Sequence, residues 1–140
     1  MNAVGERVRD AMVRDPRTLD VGATAQDAGQ LLERPEVRAV LVCDDGRLAG
    51  VVTRKTLVRE VVAAGRDPGA TPVGEIAEGP HFVLDADVPL EEAYRVLEER
   101  GLERVPVTED GRLVGVFSRA VVGRRLAEEA LPADDGDAGA

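Results

Sequence analysis

The stretch DDGRLAGVVTR at residues 44–54 returns as EDGRLVGVFSR at residues 109–119, with only Asp to Glu, Ala to Val, Val to Phe and Thr to Ser exchanged. Gly46 and Gly111 stand 65 positions apart, and that offset carries far beyond the quoted stretch. VRDAM at 8–12 falls on VGEIA at 73–77, Leu19 and Asp20 fall on Leu84 and Asp85, and Ala28, Leu31 and Leu32 fall on Ala93, Val96 and Leu97. Val40 and Val42 then fall on Val105 and Val107. A period of this size means that one supersecondary unit is used twice. The copies run over 8–64 and 73–130, joined by the loop GRDPGATP at 65–72.

Local signals divide each copy into elements. Thr24 followed by Asp27 has the spacing of a capping box, and Ala28, Leu31 and Leu32 continue as an apolar stripe until Pro35 stops the helix. In the second copy Asp87 and Pro89 start the same helix, Glu91 and Glu92 fill its first turn, and Gly101 ends it. VRAVLVC and RLAGVVT are β-branched runs joined through Asp45-Gly46, and Asp110-Gly111 repeats that joint. The dipeptide accepts the positive φ angles of a two-residue hairpin, so the spacing predicts a hairpin in each copy. Leu57, Val58, Val61 and Val62, matched by Val122, Leu126 and Ala127, predict a second helix with one buried face. Each copy thus reads as strand, helix, strand, strand, helix. The expected fold is α+β, bordering on α/β, with two tandem motifs packed through their sheets about a pseudo-two-fold axis. One motif of under 60 residues buries too little apolar surface to stand comfortably alone. The expected divisions are 1–71, 72–130 and an acidic, disordered tail at 131–140 carrying Asp134, Asp135 and Asp137.

Composition excludes several functions. The chain has 140 residues, a net charge of −9 and three aromatic residues, Phe82, Tyr94 and Phe117. It therefore lacks both the basic field and the stacking platforms of a nucleic-acid binder. One cysteine, Cys43, rules out an intrachain disulfide and a cysteine zinc framework. No run approaches the ~20 apolar residues of a membrane span. The start, MNAVGERVRD, has no apolar run of signal-peptide length. The expectation is a cytoplasmic protein with no membrane and no nucleic-acid partner. Nothing predicts an enzyme: His81, the only histidine, sits in the turn EGPHF, Cys43 lies on an apolar strand without an activating base, and the pairs Glu91-Glu92 and Glu98-Glu99 read as solvated helix faces. Dinucleotide and Walker-type glycine loops do not occur.

One chemistry does stand out. In each copy the last strand ends in a hydroxyl residue, Thr53 or Ser118, followed by Arg54 or Arg119 where a helix begins. Free backbone N–H groups and a forked guanidinium there suit a phosphate. The competing reading is that the two hydroxyls only cap their helices and the arginines are solvated.

The register of the two blocks, VRDAM…TLDVGATAQDA…RAVLVCDDGRLAGVVTR and VGEIA…VLDADVPLEEA…ERVPVTEDGRLVGVFSR, resembles the tandem cystathionine-β-synthase-type (CBS) domain pair over about 8–130. The resemblance implies two CBS motifs, at 1–71 and 72–130, forming a non-catalytic regulatory module. Such a module requires no cofactor and holds an adenosine-containing nucleotide, AMP, ADP, ATP or S-adenosylmethionine, between its motifs. It also implies a homodimer, and output through an unknown protein partner. Carried onto this sequence, the ligand residues are Thr18, Arg38, Ala39, Val40, Thr53, Arg54 and Thr56 in the first copy and Arg104, Val105, Ser118 and Arg119 in the second. The sequence departs from the family pattern where an Asp would hold the ribose, three positions after the hydroxyl residue: Thr56 and Val121 stand there. Val121 offers no acceptor, and Glu103 stands where the first copy has Arg38, which favours one site over two. Lys55 beside Arg54 makes the first copy the better candidate. The alternative is a structural homodimer or interaction adaptor that has lost the nucleotide. The second helices, with Val58, Val61, Val62, Val122 and Leu126, are the expected dimer surface.

Overall fold

The structure is a computed structural model that describes residues 5–14, 16–80 and 82–130; His81 and the acidic tail at 131–140 lie outside the described residues. Its elements follow the chain as α1 (Val8–Ala11), β1 (Thr18–Asp20), α2 (Ala25–Leu32), β2 (Val40–Asp44), β3 (Arg47–Val52), α3 (Arg54–Leu57, continued by a π turn at Val58–Val62), α4 (Val73–Ile76), β4 (Leu84–Asp85), α5 (Leu90–Arg100), β5 (Arg104–Glu109), β6 (Arg112–Ser118) and α6 (Arg119–Ala130). The fold is mixed α+β, and each copy gives the expected strand, helix, strand, strand, helix preceded by a short helix, α1 or α4, that the sequence reading did not include. Both hairpins turn at the Asp-Gly pairs, with φ of 54° and 83° at Asp45 and Gly46 and of 56° and 82° at Asp110 and Gly111. Positive φ at both central residues is the turn whose twist matches paired strands, and glycine meets it without a Cβ clash.

The chain forms two compact units. Among the described residues, one consists of 16–80 with 110–113, the other of 5–14, 82–109 and 114–130. In the first, β1 runs parallel to β2, Thr18 opposite Leu41, and β2 runs antiparallel to β3. Its core holds Ala28, Leu32, Val40, Val42, Val52, Val61, Val73 and Ile76. In the second, β4 runs parallel to β5, which adjoins β6. Its core holds Val8, Leu90, Ala93, Leu97, Val105, Val107, Phe117 and Val122.

The units cut the chain differently from the repeat boundary at 71/72, because each copy's leading helix packs with the other copy. Val73 N–H donates to Ala23 O at 2.7 Å, Gly74 N–H to Val21 O at 3.0 Å, and Ala25 N–H to Thr71 O at 2.8 Å. The same three bonds recur 65 positions away with the roles of the copies reversed: Val8 N–H to Val88 O, Arg9 N–H to Ala86 O and Leu90 N–H to Glu6 O, at 2.9, 3.1 and 3.0 Å. A second reciprocal pair follows. Val51 and Glu78 exchange backbone bonds of 2.8 and 2.9 Å, as do Val13 and Val116. The close approach explains the glycine that precedes each bridging strand residue: a Cβ on Gly50 would lie 2.8 Å from Ala77 Cβ, and one on Gly115 would lie 2.8 Å from Val13 O.

Candidate functional site

The two strand-to-helix junctions share a fold but not their electrostatics. In the first copy Thr53 caps α3. Its Oγ1 accepts from Thr56 N–H at 3.3 Å, Thr56 Oγ1 accepts from Thr53 N–H at 3.0 Å, and the two hydroxyls lie 3.1 Å apart. Thr56 is 0% exposed, so its hydroxyl is consumed inside a capping box and faces no solvent. Arg54 turns back to the end of α2, where one guanidinium nitrogen donates to Leu32 O at 2.5 Å and to Arg34 O at 2.8 Å. Those are the carbonyls of the last residue of α2 and of a residue just beyond it, which lack intrahelical donors. The bonds fix the guanidinium and leave its charge uncompensated, for no carboxylate pairs with Arg54, Arg38 or Lys55 among the described residues.

Thr18 is exposed at the start of β1, and Arg38 is exposed in the α2–β2 connection. Ala39 is half-buried, whereas the Val40 side chain belongs to the core and its backbone lies in the sheet opposite Val52. An open groove of about 370 Å³ is lined by Arg17, Leu19, Asp27, Gln30, Leu31 and Arg34, a set that includes none of the predicted ligand residues. Asp27 accepts Thr24 N–H at 3.0 Å as the spacing predicts and keeps its negative charge, so the groove carries two arginines and one carboxylate.

In the second copy Ser118 accepts Val121 N–H at 3.5 Å, half of the box formed by Thr53. Arg119 forms an ion pair with the Glu103 carboxylate, and its backbone N–H donates to Glu103 O at 2.8 Å. Arg104 is exposed, Val105 is in the core, and Val121 is 42% exposed. Neither bond of Arg54, nor the pairing of Arg119, was readable from sequence, since their partners lie 16 to 22 residues away on other elements.

The Arg9 pairings and Cys43 have structural explanations. Arg9 pairs with Asp87 and Glu109; its hydrogen bond holds the Asp87 carboxyl below its ordinary value, and the bonds it donates to Glu109, first, and to Asp87 raise its own. Burial, then the charge of Asp20, pushes the half-buried Cys43 thiol up, away from the reactive thiolate. Among the described residues no group of three His, Cys, Asp or Glu side chains could hold a metal, and no helix is long and apolar enough to cross a membrane. The expected apolar dimer surface is narrower than its sequence pattern: Val61 and Val122 are buried in the cores, while Val58 and Val62 are 58% and 72% exposed.

Known proteins share this fold. The family model of the CBS domain matches residues 8–63 and 73–122. Hypoxic response protein 1 of Mycobacterium tuberculosis is 34% identical over 124 residues, covering 88% of this chain and 87% of its own. A crystal structure of Hypoxic Response Protein I with two coordinated zinc ions superposes with a TM-score of 0.69 at 32% identity, over 84% of this chain and 97% of the other. The structure of CBSX2 in complex with AMP superposes with a TM-score of 0.69 at 26% identity, covering 89% and 98%.

Proposed function

The chain belongs to the CBS-domain family, and on that premise we propose that it is a cytoplasmic, non-catalytic regulatory module that binds one adenosine-containing nucleotide through its first copy. AMP in the CBSX2 complex supports this ligand class. The observation that carries the reading is the uncompensated charge of Arg54, held in place by the Leu32 and Arg34 carbonyls. Lys55, next in the chain, and Arg38 carry the same sign, and a cation without an internal anion attracts a phosphate without first breaking an ion pair. Thr18, Thr53 and the backbone of Ala39-Val40 supply neutral contacts beside it. Thr56 serves the cap, so the ribose is held less firmly than by a carboxylate, and the phosphate supplies most of the selectivity.

A second reading, an adaptor or structural homodimer without ligand, is favoured by the sealed Thr56 and by exposed Val58 and Val62. Thermal unfolding with millimolar AMP, ADP, ATP, S-adenosylmethionine, adenine and inorganic phosphate separates the two. A nucleotide at about a hundred times its dissociation constant adds about 2.7 kcal/mol of stability, several degrees for a chain of this length. A shift with a nucleotide but not with adenine supports the first reading. No shift with any of them leaves the adaptor.

A further inference from the structure

We infer that Glu103 is a built-in anion that closes the second copy to phosphate-bearing ligands, making the module single-site by charge. The inference rests on the reading that the strand-to-helix junction is where this fold receives a phosphate. Arg119 already holds an anion there, the Glu103 carboxylate, and the Arg119 backbone N–H is anchored to the carbonyl of the same residue at 2.8 Å. In the first copy the corresponding arginine, Arg54, bonds only neutral carbonyls, and the residue at the Glu103 position is Arg38. One exchange of sign between the copies thus leaves Arg54 available and Arg119 occupied.

The geometry separates charge from scaffold. The anchoring carbonyl belongs to the backbone, so replacing the Glu103 side chain removes the competing anion and keeps the bond that positions Arg119. The Glu103 side chain is 65% exposed and that of Arg119 is 25% exposed. The carboxylate can therefore be deleted without opening the core. A phosphate entering the native second copy must displace the carboxylate from Arg119 and then remain close to its charge. Both effects weaken binding, and an exposed ion pair of this kind is worth up to about a fivefold change in affinity before the residual repulsion is counted.

The test is a titration of native protein, Glu103→Gln and Glu103→Ala with tripolyphosphate, following the Arg119 side-chain Nε–H and Ser118 amide resonances by NMR. Thermal midpoints of all three report folding. The native resonances are expected to move little, while both variants titrate more tightly, by about fivefold. Equal titration of Arg119 in native and variant proteins overturns the inference, as does an Arg119 that stays still in the variants. The Arg54 resonance, recorded in the same spectra, reports separately on the proposed first-copy site, so failure there is not confused with failure here.

Discussion

Thr56→Val tests whether the threonine in place of the family's ribose-binding aspartate is a structural residue. The substitution is nearly isosteric and removes the hydroxyl that accepts Thr53 N–H at 3.0 Å and meets Thr53 Oγ1 at 3.1 Å. Each lost bond costs about 1 kcal/mol, and a part-buried N–H left without an acceptor adds to that. The extra methyl group recovers about 0.8 kcal/mol in a site that excludes water. The net cost is about 2 kcal/mol, a fall of about 5–8 °C in the unfolding midpoint at this chain length. Thr56→Ser keeps the hydroxyl and loses only a methyl group, so it should cost about half as much. Differential scanning calorimetry of the three proteins reads both values. A midpoint for Thr56→Val equal to or above the native one, or below native by no more than that of Thr56→Ser, refutes the capping-box account.

Three further outcomes follow from the same geometry. Gly50→Ala places a Cβ 2.8 Å from Ala77 Cβ and 2.9 Å from Glu78 O, so it should lose about 1–3 kcal/mol, whereas Gly79→Ala, with nothing within 4 Å, should stay within about 0.5 kcal/mol of native by denaturant unfolding. Asp87 has a folded-state carboxyl held below its ordinary value of 3.8, first by the Arg9 hydrogen bond. Its contribution is present above that ordinary value and is lost as pH falls through the folded one. The difference in midpoint between native and Asp87→Asn should therefore shrink from about pH 6 to about pH 2, and a constant difference contradicts the pairing. If Val58 and Val62 form an interface between two copies, Val62→Asp should shift sedimentation at micromolar concentration from dimer toward monomer without lowering the thermal stability of the monomer; a native protein that sediments as a monomer rules that interface out.

The repeat made most of the fold readable. Asp45-Gly46 and Asp110-Gly111 announced both hairpins because positive φ at two successive positions admits few other residues. Thr24 and Asp27 announced the start of α2, and the reciprocal bond they form is present. What the repeat could not tell is which copy covers which, because Val8 and Val73 carry the same pattern and fit either core. Only the spatial pairing of Val73 with Ala23, and of Val8 with Val88, assigns them. The apolar run at 57–62 had the same ambiguity, since a stripe of Leu57, Val58, Val61 and Val62 is wider than the core needs. Burial takes Val61 and leaves Val58 and Val62 outside, within a π turn closed by Ala63 N–H to Val58 O at 2.8 Å. At the candidate site the residue types were legible and their allegiances were not. Thr53-Arg54 and Ser118-Arg119 look alike in sequence, yet one arginine finds carbonyls and the other a carboxylate.

The most direct test of the central claim is calorimetric titration of the native chain with AMP and ATP. The account predicts saturable binding of one nucleotide per chain, weakened by Arg38→Gln and by added salt as a charge-based site requires. Absence of saturable binding, or two equivalent sites per chain, would contradict it.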